Sequence, residues 1–135
     1  MSGTIVCGVG DSPEGRDAIQ LAVALSRRLG QRLVLVHVRA KGRGGESLLV
    51  RLSEDLDLEP TVELREGVGD SAQSLAQIAA EEGADLIVVW SRRSRLWGRG
   101  IECRLALELE AITAIPVVIA PPQTVRRSGR RLSVV

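Results

Sequence analysis

The largest group of residues that could do chemistry is an arginine cluster in the last third of the chain, comprising Arg92, Arg93, Arg95, Arg99 and Arg104. A guanidinium holds an oxyanion in a bidentate fork, so one interpretation is a small-anion or phosphate site with Arg92, Arg93 and Arg104 as contacts. The alternative is a solvated loop, because a run of charge is weak evidence for a site. We favour the loop, since Lys41 is the only lysine among 18 cationic residues, which indicates a general preference for arginine.

Few other side chains are chemically versatile. Cys7, Cys103 and His37 lack the spacing of metal ligands, so neither a metal site nor a disulfide is expected. Cys7 lies in an apolar run and is interpreted as a small buried hydrophobe, and His37 as a satisfied core or edge histidine. Cys103 lies beside arginines near a predicted helix start, an environment that can make a thiol redox-sensitive, but a structural role is favoured.

Ser12 offers a nucleophile. Gly10-Asp11-Ser12 follows a predicted strand and resembles the serine block of lipase-like esterases. A catalytic triad needs a histidine within hydrogen-bond reach of the serine, and in those enzymes it lies near the C-terminus. The single histidine here is His37, so no catalytic residue is expected. Ser12 followed by Pro13 is instead typical of a helix start, with serine as the cap and proline in the first position.

Alternating strands and helices must position these residues. Apolar runs predict five strands, at residues 4–9, 33–38, 60–65, 85–89 and 116–120. Helical spacing predicts a helix from Pro13 to a stop at Gly30, a shorter one over residues 46–57, and a third opened by Asp70 with Gln73 and closed by Gly83. A polar loop over residues 91–100 precedes a last helix with the apolar stripe Ile101, Leu105, Leu109 and Ile112.

This alternation predicts an α/β fold, a doubly wound five-stranded parallel sheet with helices on both faces. In such a sheet ligands bind beyond the carboxyl ends of the strands, where the strand order reverses. The segments that reach this edge are residues 8–12, 38–42, 67–70 and 90–100. Any ligand site is expected among them.

Length and composition limit the remaining choices. With 135 residues, 44% of them apolar, the chain forms one domain, which we assign to residues 1–122. Residues 123–135 contain arginines but no acid and are expected to be a disordered basic tail. No apolar run approaches the roughly 20 residues of a membrane span, and no secretion signal is visible, so a cytoplasmic location without membrane contact is expected. The only aromatic residues are two tryptophans, which disfavours a specific nucleic-acid partner.

Several stretches, in order and with matching spacing, resemble the universal stress protein family over residues 4–120. They are the opening T-I-V-C-G-V-G-D-S-P-E, L-V-H-V, E-G-V-G-D, A-E-E-G-A-D-L-I-V-V and the closing A-I-P-V-V-I-A. The resemblance implies an adenine nucleotide alpha hydrolase-like sheet in the order 3-2-1-4-5, and usually a dimer. It also implies that ATP is a ligand of many members but not of all.

Nucleotide-binding members share an aspartate that closes the first strand and a pattern G-x-x-G-x-nine-G-Ser after the fourth. In this chain the four pattern positions fall on Trp90, Arg93, Cys103 and Arg104, and the aspartate position falls on Gly10. Val38 matches a position that contacts the base. Glycines let backbone N–H groups approach a phosphate closely, so their replacement predicts a lost nucleotide site, with no cofactor expected.

Two functions compete. The first is a dimeric stress-response or regulatory binding module that does not bind ATP, whose partner is an unknown regulatory protein or a small anionic ligand. The second is an adenine-nucleotide (ATP or AMP) binder that uses Val38 and compensating arginines, with slow hydrolysis. In either case the expected dimer contact is the fifth strand, whose Val117, Val118 and Ile119 form an apolar edge without a guarding charge.

Overall fold

The computed structural model describes residues 3–40, 47–93, 101–102 and 104–121, with the backbone alone for residues 92, 93, 101 and 102. In chain order the elements are β1 (Thr4–Gly8), α1 (Pro13–Leu29), β2 (Arg32–Arg39), α2 (Leu48–Asp55), β3 (Glu63–Val68), α3 (Ser71–Glu81), β4 (Leu86–Trp90), β5 (Arg92–Arg93), β6 (Ile101–Glu102), α4 (Arg104–Ile112) and β7 (Val117–Ala120).

Five strands form one parallel sheet in the order β3-β2-β1-β4-β7. With β7 as the fifth long strand, this is the predicted 3-2-1-4-5 order, which is confirmed. The strand β1 pairs with β2 on one side and with β4 on the other, so the strand order reverses between β1 and β4. The carboxyl ends of these two strands therefore define the edge at which a ligand site is expected.

The core lies on both faces of the sheet. Alternate residues of a strand point to opposite faces, so Ile5 and Cys7 pack with α1 and α2, whereas Val6 packs with α3 and α4. The central strands are buried on both sides, which explains why their sequences are continuously apolar rather than alternating.

The helix ends follow the predicted caps. The Ser12 hydroxyl accepts a hydrogen bond from the Gly15 N–H at 3.0 Å, and the Asp70 carboxylate accepts one from the Gln73 N–H at 2.9 Å. Gly30 ends α1 with a left-handed backbone, φ 62°. These side chains and backbone angles satisfy groups that a helix terminus leaves without internal partners.

The third strand lies later than predicted, at Glu63–Val68 rather than residues 60–65. Pro60 has no N–H to donate, and the Val62 N–H turns back to the Glu59 carbonyl at 3.0 Å, so this part of the chain is a turn. Pairing with β2 sets the strand's position, with Val34 opposite Glu63. Three of its six residues are charged, and a continuous apolar run therefore could not mark it.

Two helices are shorter than predicted. The helix α2 begins after its cap Ser47 and ends at Asp55, because Asp57 takes a left-handed backbone with φ 51°. The helix α4 begins at Arg104, and Ile101, expected in its apolar stripe, lies in β6 instead. Leu109 is buried as predicted, but Ile112 is 51% exposed and does not belong to the buried stripe.

The segment predicted as a polar loop contains a strand. Arg92 and Arg93 form β5, which pairs antiparallel with Ile101 and Glu102 of β6. Ladder pairing thus gives the two ends of the segment a regular structure despite their polar composition. Residues 94–100, Cys103 and the predicted basic tail lie outside the described residues. No helix in the described ranges is long and apolar enough to cross a membrane.

Candidate functional site

A cleft of about 240 Å³ opens at the carboxyl edge of the sheet, where the strand order reverses. Its described lining comes from the ends of three strands and from two helices: Gly8, Val9, Gly10, Val36, His37, Val38, Ser71, Leu75, Trp90 and Leu105. Most of these side chains are apolar. The cleft lies slightly below the usual size of small-molecule sites, about 300–1,000 Å³.

Trp90 packs directly against Gly10 across the cleft. A Cβ atom placed on Gly10 would lie 2.8 Å from Cζ2 and 3.0 Å from Cη2 of the Trp90 indole. On the other side of the same backbone, a Cβ on Gly15 of α1 would lie 2.3 Å from the Gly10 carbonyl oxygen. The Gly10 backbone is thus enclosed between the start of α1 and the indole, with no room for a side chain on residue 10.

The strands β5 and β6 include one position of the nucleotide-binding pattern. Arg93 occupies the position of the second glycine of the nucleotide-binding pattern, and it lies in a strand opposite Ile101. An extended, paired backbone directs its N–H groups sideways along the ladder and does not gather several of them around one anion. The side chains of Arg92 and Arg93 lie outside the described part of the structure.

Asp11, one place after the aspartate position of the family pattern, is bound to arginines. Its carboxylate pairs with Arg16 of α1 at 3.3 Å and with Arg51 of α2 at 3.2 Å, and Arg16 also pairs with Asp55 at 3.3 Å. The hydrogen bond to Asp11 is the first cause of the raised pKa of Arg16. Asp11 therefore joins α1 to α2 and does not line the cleft.

His37 contributes to the cleft wall but is not the satisfied histidine that the sequence indicated. It is half-buried, and its Nδ1 atom is buried without a hydrogen-bond partner among the described residues. Burial lowers the pKa of the imidazole, outweighing the opposite effect of Glu66 on the neighbouring strand β3. The lowered pKa keeps His37 neutral at pH 7, since the ordinary value is already 6.5.

The remaining predicted residues are spread over the molecule. Val38 is half-buried and lines the cleft, while Arg104 is exposed at the start of α4. Cys7 is fully buried in β1, and burial raises the pKa of its thiol to about 12, as expected for an inert buried cysteine. Among the residues that the structure describes, no group of His, Cys, Asp or Glu side chains is arranged to hold a metal ion.

Three lining residues had no signal in the sequence that pointed to this site. Leu75 and Ser71 come from α3, and Leu105 from α4. Leu75 and Leu105 were predicted only as core residues of their helices, because a helical stripe does not distinguish the core from the wall of a cleft. Only the packing of α3 and α4 on one face of the sheet brings these residues to the strand ends.

Comparison with known proteins identifies the family of the chain. The model of the Universal stress protein family matches residues 1–120, so the chain belongs to the universal stress protein family. No curated protein matches the sequence.

Solved structures with the same fold are similar over most of their length. The universal stress protein UspA from Lactobacillus plantarum is 18% identical, with a TM-score of 0.66, and the match covers 88% of this chain and 97% of that one. A universal stress protein from Archaeoglobus fulgidus is 20% identical, with a TM-score of 0.66 and coverage of 90% and 100%. A universal stress protein in complex with cAMP is 16% identical, with a TM-score of 0.67 and coverage of 88% and 97%.

Proposed function

We propose that this chain is a dimeric stress-response or regulatory binding module that does not bind ATP and has no catalytic activity. The packing of the Trp90 indole on Gly10 carries the proposal, because it fills the space beside the end of β1. The family's nucleotide pattern needs an aspartate at residue 10 and a glycine at residue 90, and the two observed residues are sterically tied to one another.

Two further observations support the proposal that ATP does not bind. Arg93 is in a paired strand rather than a loop, and Asp11 is bound to Arg16 and Arg51. Each lost contact to a phosphate or ribose costs about 1–3 kcal/mol, and about 1.4 kcal/mol is a tenfold loss of affinity. Loss of several such contacts turns micromolar binding into binding too weak to matter in a cell.

An adenine nucleotide is the alternative ligand. Val38 lines the cleft, and among the similar solved structures one is in complex with cAMP and another, from Archaeoglobus fulgidus, in complex with dAMP. A monophosphate carries less charge than ATP and needs a smaller cradle. For this alternative, arginines such as Arg92, Arg93 and Arg104 would have to supply the anion contacts that the missing glycines do not.

The proposed dimer forms through β7, an edge strand of the sheet. Ile119 is 41% exposed, and Val117 and Val118 are half-buried. An unguarded apolar edge pairs readily with another chain, and a two-fold axis lets each β7 pair with its copy. Pro116 and Pro121 flank the strand and limit the pairing to a few residues.

Titration with MgATP, followed by tryptophan fluorescence, tests the proposal. We expect no saturable change of fluorescence up to millimolar ATP in the unmodified protein. Mass spectrometry should detect no nucleotide released when the purified protein is denatured. A saturable change at micromolar ATP that excess AMP abolishes would show that the arginines form a nucleotide site, in favour of the alternative.

A variant with the family pattern provides the matched control. Combining Gly10→Asp and Trp90→Gly with Arg93→Gly and Cys103→Gly should raise the affinity for ATP, while Trp90→Gly by itself should not. If the fourfold variant is folded and still ignores ATP, the pattern is not what closes the site.

A further inference from the structure

The described walls of the cleft carry almost no charge. Among its described lining residues, the only ionisable side chain is His37, which is neutral at pH 7 because burial lowers its pKa. The other described lining side chains are aliphatic, aromatic or, at Ser71, a hydroxyl. A charged ligand would give up its hydration here without gaining an ion pair from these described residues, which is costly.

The charged groups at the nearest element ends do not favour an anion either. Asp70 immediately precedes Ser71 and places a carboxylate at the N-terminus of α3, where it accepts the Gln73 N–H at 2.9 Å. The Asp70 carboxylate therefore already interacts with the partial positive charge of this helix end. Arg16 of α1 and Arg51 of α2 are bound to Asp11, which follows the end of β1.

The composition of the cleft favours an aromatic ligand. Its lining includes the indole of Trp90 together with aliphatic side chains. Aromatic rings gain about 0.5–1.5 kcal/mol from each other beyond the burial of area. The volume, about 240 Å³, admits a single small ring system.

We propose that this cleft binds a small, uncharged aromatic molecule in preference to an anion. The inference rests on the proposed function, in which the site is a binding site without ATP, and it names the chemical class of ligand. It replaces the small anion that the arginine cluster alone indicates with a ligand that matches the described walls.

Three probes of nearly equal shape test the charge preference: benzamide, benzoate and benzamidine in its cationic form. Titration of ¹⁵N-labelled full-length protein at pH 7.5 should show benzamide binding at least about tenfold more tightly than either ion, because each ion must lose its hydration on entering the uncharged cleft. The backbone amides of Gly8, Gly10 and Ser71 should shift with a common dissociation constant.

A charge placed at the mouth of the cleft should change this preference. Ser71 is exposed and lines the cleft, so Ser71→Lys should strengthen the binding of benzoate about threefold to tenfold and weaken that of benzamidine. Gln77→Lys places the same charge on an exposed position of the same helix that does not line the cleft, and it should leave all three affinities unchanged.

Several results would overturn the proposal: benzoate binding as tightly as benzamide to the unmodified protein, no binding of benzamide, or amide shifts that map away from the cleft. The comparison on the unmodified chain does not depend on the folding of a variant. The MgATP titration keeps the two proposals distinguishable, because saturable ATP binding refutes the proposed function, whereas failure of benzamide alone refutes only this inference.

Discussion

Gly10 and Trp90 lie 80 positions apart in the chain and act as one structural unit. The ends of β1 and β4 are adjacent, so the indole of residue 90 reaches the backbone of residue 10. The sequence placed Trp90 at a glycine position of the nucleotide-binding pattern. It did not indicate that the indole fits at this position only because residue 10 is glycine. The contact depends on the relative positions of two strand ends.

A double-mutant cycle measures this contact. Gly10→Ala should lower the free energy of unfolding by about 1–3 kcal/mol, since its Cβ meets the indole at 2.8 Å. In a Trp90→Ala background the same change should cost at least about 1 kcal/mol less, because the opposing ring is gone. Urea denaturation of the four proteins gives the coupling, and an equal cost of Gly10→Ala in both backgrounds would contradict the predicted contact.

His37 predicts a pH dependence of stability. Its pKa in the folded protein is below the ordinary 6.5 because burial disfavours the imidazolium, so the unfolded chain binds the proton more tightly. Stability should therefore fall as the pH drops through about 6.5, and this contribution should level off below the folded-state pKa. Glu66 and Arg39, the charged groups that act on His37, oppose each other and do not reverse the direction.

Denaturation at pH 7.5 and pH 5 checks this dependence. In His37→Gln, which keeps a neutral polar side chain, the loss of stability between the two values should be smaller than in the unmodified protein. An unchanged loss would mean that carboxylates, not His37, cause the whole effect.

At the scale of elements, the positions with clear local chemistry were predictable. The start of α1 follows from Ser12 and Pro13, its end from Gly30, and the start of α3 from Asp70, and the structure confirms each of them. The central strands were predictable because burial on both faces requires continuous apolar sequence. These signals suffice for the order of elements and, with the family resemblance, for the sheet.

The strand that the sequence placed too early, β3, and the strand that it missed, β5, are held by pairing partners. Half of the residues of β3 are charged, and β5 consists of two arginines, so neither has a continuous apolar pattern. Their strand geometry comes from β2 and β6, through hydrogen bonds that any residue except proline can form. The cleft is only partly predictable for a related reason: its edge followed from the topology, but Leu75 and Leu105 reach it through helix packing.

The cap of α1 gives a prediction about the contribution of Ser12 to stability. Its hydroxyl accepts the Gly15 N–H at 3.0 Å, so Ser12→Ala should lower the free energy of unfolding by about 1 kcal/mol. Ser12→Asn supplies another capping oxygen and should restore most of the loss. Thermal or urea unfolding measures both variants. Full stability of Ser12→Ala would show that the cap contributes nothing.

At the scale of the whole molecule, the two edges of the sheet differ. The edge strand β3 carries Glu63, Arg65 and Glu66, whose charges discourage pairing with another chain, whereas β7 is apolar throughout. If the dimer forms through β7, its two outer edges are both copies of the charged β3. Further addition of subunits through strand pairing is then disfavoured.

A single charge on β7 tests this arrangement. Ile119 is 41% exposed, and Ile119→Lys should raise the dissociation constant of the dimer at least about tenfold, because two like charges meet across the two-fold axis. Val68→Lys, at a residue 52% exposed on β3, adds the same charge to the opposite edge and should leave the dimer intact. Light scattering at micromolar concentration reports the masses, and an unmodified protein that is only monomeric would refute the dimer.

The close packing of Gly10 against the Trp90 indole also constrains the order in which the family's nucleotide pattern could be introduced. A chain that first acquires an aspartate at residue 10 places that side chain in space the indole occupies, and it must pass through a poorly packed intermediate. A chain that first loses the indole can accept the aspartate afterwards. The accessible route to the family's nucleotide pattern therefore begins at residue 90, and while Trp90 remains, a side chain at residue 10 is expected to cost stability even where no ligand is involved.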